Sequence, residues 1–116
     1  MNENNSSIDI DKVVMHWMDT SEGDFQTMLT LYKSKSYEWS LFLGHISTEK
    51  LLKALYVKRF ERHAPFTHNL YRLAELLDLK LTDEYKREFY SLCTPDYTKK
   101  WIEQIKTIRS WIKEML

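Results

Sequence analysis

The stretch HISTEKLLKALY, residues 45–56, decides how the rest of the chain is read. It has the spacing of a helix, yet it sets Glu49 and Lys53 among residues that should face a core. At about 100° per residue, Phe42, Ile46, Tyr56 and Phe60 point within roughly 40° of one another, and Glu49 and Lys53 fall inside that arc. His45 lies four residues before Glu49 and Lys53 four after, so the three form one polar stripe. Glu before Lys at this spacing is the favourable orientation. On an exposed face the pair would contribute only about 0.3–0.5 kcal/mol. Against a core it incurs desolvation unless every charge is partnered. Three readings stay open: a helix–helix seam, a partly open groove where Lys50, Lys53 and nearby histidines meet an anionic ligand, or a polar patch fixing register at a dimer interface.

Outward from this stretch, the helix should run from about Tyr37 to Arg62, because Pro65 disfavours helix at Ala64. Upstream, Asp9 is a good N-cap. Val13, Val14, Trp17, Ser21, Phe25, Met28, Leu29 and Tyr32 follow at three- and four-residue steps, predicting one amphipathic helix bent near Ser21–Gly23. Lys33 and Lys35 suit its C-terminal end, and Ser34–Ser36 makes a turn. Downstream, Thr67 is expected to cap a third helix carrying Leu70, Leu73, Ala74, Leu76 and Leu77. Thr82 is expected to cap a fourth with Tyr85, Phe89, Tyr90 and Leu92. Thr94-Pro95-Asp96 is a strong start signal for a last helix lined by Trp101, Ile102, Ile105, Ile108, Trp111, Ile112 and Leu116. The expectation is an all-α, antiparallel up-and-down bundle of four to five helices. Residues 1–8 form a disordered N-terminus, and 9–116 one domain.

Composition agrees. With 116 residues there is room for one core, and two glycines and two prolines leave little for hairpin turns. A single cysteine, Cys93, cannot form an internal disulfide and points to a reducing compartment. MNENNSSIDID lacks the basic and apolar regions of a signal peptide, and no apolar run approaches the roughly 18 residues that span a bilayer. A cytoplasmic domain without membrane contact is expected. Net charge is zero but uneven. Residues 1–32 carry Glu3, Asp9, Asp11, Asp19, Glu22 and Asp24 against Lys12, whereas 50–72 carry Lys50, Lys53, Lys58, Arg59, Arg62 and Arg72 against Glu61. Such asymmetry can attract phosphate or an acidic partner.

Ser47-Thr48-Glu49-Lys50-Leu51-Leu52-Lys53-Ala54-Leu55 resembles the Ala-Glu-Lys-x-Leu-Lys-Ala motif of small HEPN domains (higher eukaryote and prokaryote nucleotide-binding). Trp17 with Asp24-Phe25 and Met28-Leu29 is similar to that family's first helix, and Pro65-Phe66-Thr67-His68-Asn69-Leu70 with Leu73 to its Thr-His-x-Leu-x-x-Leu segment. Cys93-Thr94 through Tyr97, Trp101 and Ile105 to Trp111-Ile112 also resembles HEPN sequences. The resemblance implies a bundle that is usually homodimeric and often encoded beside a minimal nucleotidyltransferase. It implies activities ranging from toxin ribonuclease through nucleotide binding to no known chemistry.

The ribonuclease signature of that family is an Arg, four to six residues, then a His, in the later helices. Here the histidines are His16, His45, His63 and His68, so the C-terminal half holds no such motif. Arg62 to His68 has the spacing, but in the connection between the second and third helices. The stretch resembling Arg-Tyr-Pro-Asp that small members carry after the third helix is replaced by Leu79-Lys80-Leu81-Thr82-Asp83-Glu84.

No catalytic residue, cofactor or metal is therefore expected. His45 and Glu49 could supply two metal ligands but lack further ones, and Gly23 and Gly44 are isolated, so no loop cradles phosphate. The expected function is binding, of a nucleotide, RNA or other phosphate-bearing ligand near Glu49, Lys50, Lys53, His68 and Asn69, or of a nucleotidyltransferase partner. A toxin ribonuclease using Arg62 and His68, and a structural dimerisation module, are the alternatives. His68 is placed in the first turn of the third helix, where contact with Glu49 would tie helices two and three.

Overall fold

A computed structural model describes residues 8–80 and 94–116. The expected helix from Thr82 to Leu92, Cys93 and residues 1–7 lie outside the described residues. Among those described, the chain forms four helices: α1 (Ile10–Lys33), α2 (Tyr37–Phe60), α3 (Leu70–Leu76) and α4 (Pro95–Met115). The expected all-α bundle is what the chain adopts.

α1, α3 and α4 begin where a side chain satisfies free backbone donors, whereas Ser36 ahead of α2 makes no such bond. The Asp9 carboxylate accepts from Lys12 N–H, and the Thr94 hydroxyl accepts from Tyr97 N–H ahead of Pro95. α1 runs unbroken through Ser21–Gly23, where a bend was expected. The Ser21 hydroxyl is spent across the bundle on the Ser47 carbonyl, 2.6 Å away, rather than on its own helix. α1 ends in a Schellman turn: Ser36 N–H reaches Leu31 O, Lys35 N–H reaches Tyr32 O, and Lys35 takes the left-handed conformation at φ 66°. α2 stops two residues before the expected Arg62, at a left-handed Glu61.

α3 starts later than Thr67 predicts. The Asn69 side chain is its cap, accepting from Tyr71 and Arg72 N–H, while the Thr67 hydroxyl accepts from Asn69 N–H. A local turn thus uses up the threonine and delays the helix by two residues. His68 consequently lies just outside α3, not in its first turn.

α2 is the central element, with Leu51 through Val57 all buried. α1 packs against it in the opposite direction, as the pairs Ser21–Ser47 and Met28–Ser40 show. The connection 61–69 doubles back along α2, bringing His68 to Glu49. α3 then runs the same way as α2, its Leu77 carbonyl accepting from Arg59 2.8 Å away.

Buried apolar residues fall into two clusters. One joins Leu51, Leu52, Leu55 and Tyr56 to Leu70, Leu73, Ala74, Leu77 and Ile112. The other joins Met28, Ile102 and Ile105. At Gly44 the helices come close enough that an added Cβ would meet Ile105 and lie 2.8 Å from the Met28 sulfur. Glycine is thus required there by contact, not by backbone conformation.

Candidate functional site

Helical spacing on α2 turns Glu49 and Lys53 inward, and both are buried, at 3 % and 6 % exposure. Lys53 Nζ lies 3.1 Å from Glu49 Oε2 and 5.3 Å from the centre of the Trp17 ring on α1. A cation held over an aromatic face gains electrostatic stabilisation from the ring. On the other side, His68 Nδ1 lies 3.2 and 3.3 Å from the two Glu49 oxygens. The expected Glu49–His68 contact is therefore present. A carboxylate only accepts, so His68 donates from Nδ1 and its Nε2 is directed away from Glu49. The imidazole itself is 87 % exposed.

His45, one turn before Glu49, does not join the carboxylate. Its Nε2 faces the His68 carbonyl at 3.1 Å, so it donates and pins the loop backbone. The stripe is thus a seam: Trp17, His45 and the returning loop pack against it, and among these described residues His68 is the most exposed.

The remaining predicted residues are placed otherwise. Lys50 points to α1, where Nζ sits 2.7 Å from Asp24 Oδ2, so it does not converge with Lys53 on one anion. Asn69 is occupied as the α3 cap. Arg62 Nε donates to the Tyr56 hydroxyl at 3.2 Å, and its guanidinium stands 5.8 and 5.7 Å from the Tyr56 and Phe60 ring centres. Among the described residues no group of three His, Cys, Asp or Glu is placed to hold a metal ion.

A third buried charged residue, on another helix, is not anticipated by the sequence reading. Arg109 on α4 is 3 % exposed. Its guanidinium donates to the Ser21 hydroxyl and to Glu22 Oε1 at 2.9 Å, and stands 4.5 Å from the Phe25 ring centre. Arg109, Ser21 and the Ser47 carbonyl lie between the two apolar clusters, fastening α1, α2 and α4. The signal was present: Arg109 is four residues after Ile105 and three before Ile112, on the inward face. Its partners, coming from two other helices, leave no trace in local spacing. The Glu22 carboxylate there is held below the usual value of 4.5, first by its hydrogen bond to Gln26. Lys113 and Arg109 act in the same direction and burial opposes them.

The family model described as the HEPN domain matches residues 14–100, a span that takes in most of α1, all of α2 and α3 and the start of α4. No curated protein and no solved structure gives a match. No helix of the described residues is long and apolar enough to cross a membrane.

Proposed function

The chain belongs to the HEPN domain family, and from that premise we propose that it binds a phosphate-bearing ligand at the exposed edge of its Glu49–Lys53–His68 cluster. The observation that carries this reading is the placement of His68 on the cluster. The buried Glu49 carboxylate is held on one side by Lys53 at 3.1 Å and on the other by His68 Nδ1 at 3.2 Å, while the His68 side chain is 87 % exposed. An exposed imidazole whose other nitrogen is fixed by a buried carboxylate is pre-oriented toward a ligand at the surface. Lys50, bound to Asp24, and Asn69, capping α3, support the site from behind without touching the ligand.

A ribonuclease built on Arg62 and His68 needs both groups on one phosphate. Arg62 instead lies on Tyr56 and Phe60, and Tyr56 is about 10 Å along α2 from Glu49, where His68 sits. Family membership also leads us to propose a homodimer and a nucleotidyltransferase partner. Sedimentation and co-purification with the product of an adjacent gene test these.

The test of the binding reading is thermal unfolding against a panel of nucleotides and short RNAs. A ligand at 100 times its Kd adds about 2.7 kcal/mol, a shift of several degrees for a domain of this size. The shift should disappear in His68→Ala, whose side chain lies outside the core. No shift from any ligand, or one that His68→Ala retains, rejects the site.

A further inference from the structure

His45 grips the connection between α2 and α3 by its main chain. Its Nε2 donates to the His68 carbonyl at 3.1 Å, whereas Glu49, one turn further along α2, takes the His68 ring. One residue of the loop is thus held twice, by backbone and by side chain, from positions about 6 Å apart along one helix axis.

The main-chain grip matters because little else fixes that point. Among the described residues, the backbone from 62 to 68 makes no hydrogen bond to the backbone of α2, and its own bond, Thr67 N–H to Pro65 O at 3.0 Å, only shapes a turn. Phe66 in that turn is fully exposed, and His68 is exposed as well, so packing secures neither ring. The peptide unit between His68 and Asn69 is instead fixed by hydrogen bonds on both sides. Its carbonyl accepts from His45, and its N–H donates to the Thr67 hydroxyl at 3.1 Å. Flanking this unit, the His68 ring rests on Glu49 and the Asn69 side chain caps α3. The ψ of His68 and the φ of Asn69 share the unit, so its orientation sets where ring and cap point. Which ring nitrogen carries the proton is set by the bonds the ring makes. Glu49 therefore holds His68 as the Nδ1–H tautomer only while the backbone keeps the ring in reach.

We infer that His45 is the positioning residue of the His68 site: by holding the 68–69 peptide unit, it fixes the ring on Glu49 with Nε2 directed away. His45 does not touch the ligand and acts through His68. The inference rests on the binding reading for what the ring is positioned to do, and on the hydrogen bonds alone for the positioning itself.

Nitrogen–proton correlation spectra of the histidine rings test this in the full chain, in mildly alkaline buffer where histidines are ordinarily neutral. In the wild type, His68 should show a protonated Nδ1 and a bare Nε2, and His45 a protonated Nε2. His45→Leu, which keeps bulk and loses the donor, should leave His68 exchanging between tautomers with averaged ring shifts. His45→Gln, whose amide can donate to the same carbonyl, should restore the wild-type pattern. In titrations with inorganic phosphate followed at the His68 ring, His45→Leu should need roughly 2- to 12-fold more phosphate, the worth of one hydrogen bond. His45→Gln should match the wild type there too. A bare Nε2 on His45 in the wild type overturns the inference without any variant, and so decides the matter even where His45→Leu does not fold. A folded His45→Leu with the His68 tautomer unchanged overturns it as well and leaves Glu49 as the anchor. Loss of the pattern in His45→Gln as in His45→Leu makes the contact one of packing, which also overturns it. If the tautomer is lost and phosphate affinity is not, His45 sets the ring without serving the site, and the inference falls while phosphate binding stands. If the rings respond as expected but phosphate shifts His68 in no form of the protein, the positioning stands and the phosphate reading falls.

Discussion

Lys53 and Lys50 are three residues apart on one helix, and the structure gives them different weights. Lys53 neutralises a buried carboxylate, and removing it leaves Glu49 with the exposed His68 imidazole on its other side. Breaking a buried pair from one side costs about 3–5 kcal/mol, so Lys53→Met should destabilise the fold by roughly 3 kcal/mol. Lys50 and Asp24 form a pair about a quarter exposed, where such contacts contribute under about 1 kcal/mol. Urea denaturation of Lys53→Met and Lys50→Met decides this, and equal losses would show that Glu49 does not depend on Lys53. Glu22 makes a prediction in pH. Its folded carboxyl is held below 4.5, so the unfolded chain takes up its proton first as pH falls. Its stabilising contribution is complete above about 4.5 and is lost as pH drops through the folded value. The stability gap between wild type and Glu22→Gln should therefore be flat near neutrality and close in acid. A gap unchanged down to pH 3 would contradict the Arg109–Glu22–Lys113 arrangement.

Helix ends carry the next level of argument, because a chain with two glycines has few residues suited to left-handed caps. Lys35 at φ 66° closes α1, and Asp78 at φ 57° closes α3, where Leu79 N–H reaches Ala74 O at 2.8 Å. A side chain with a Cβ is disfavoured there by about 1 kcal/mol relative to glycine. Lys35→Gly should accordingly raise the melting temperature by roughly 4 °C with the Schellman bonds intact, and a fall would mean the lysine side chain packs usefully. The elements themselves were legible from spacing and caps: Asp9, Thr94 and Pro95 mark true starts, and the inward faces were placed by periodicity. What failed did so where two local bonds compete. Thr67 and Asn69 both offer a cap to α3, and sequence ranks the threonine first because it precedes a helical run. In the fold its hydroxyl is taken by Asn69 N–H, leaving the asparagine to cap. Arg109 was missed for a different reason. Its inward position is periodic, but that a guanidinium can stay there depends on Ser21, Glu22 and Phe25, some 85 residues away in sequence. The polar seam of α2 was visible because Glu49, Lys53 and His45 lie within one helix, where spacing alone brings them together.

For the molecule as a whole, zero net charge means that no general field draws it to a polyanion; any attraction must come from how the charges are distributed. Two acids of α1 are turned to use inside the fold, while Asp11 and Asp19 are exposed. Asp24 holds Lys50, and Glu22 holds Arg109 and Lys113. The bases at the end of α2 are left facing water, with Lys58, Arg62 and His63 exposed. The last helix also carries exposed lysines, but they alternate with acids, as in the Lys106–Glu103 pair at 3.4 Å. Two neutralisations of equal formal charge should therefore differ in effect. Lys58→Gln should weaken binding of single-stranded RNA and reduce its salt dependence, because each lost phosphate contact lowers the slope by about 0.7. Lys99→Gln, exposed on α4 rather than at the end of α2, should leave both affinity and slope unchanged. If the two variants lost affinity alike, attraction would follow total charge rather than its placement. The uneven distribution along the chain would then be a by-product of how α1 and α2 are fastened together.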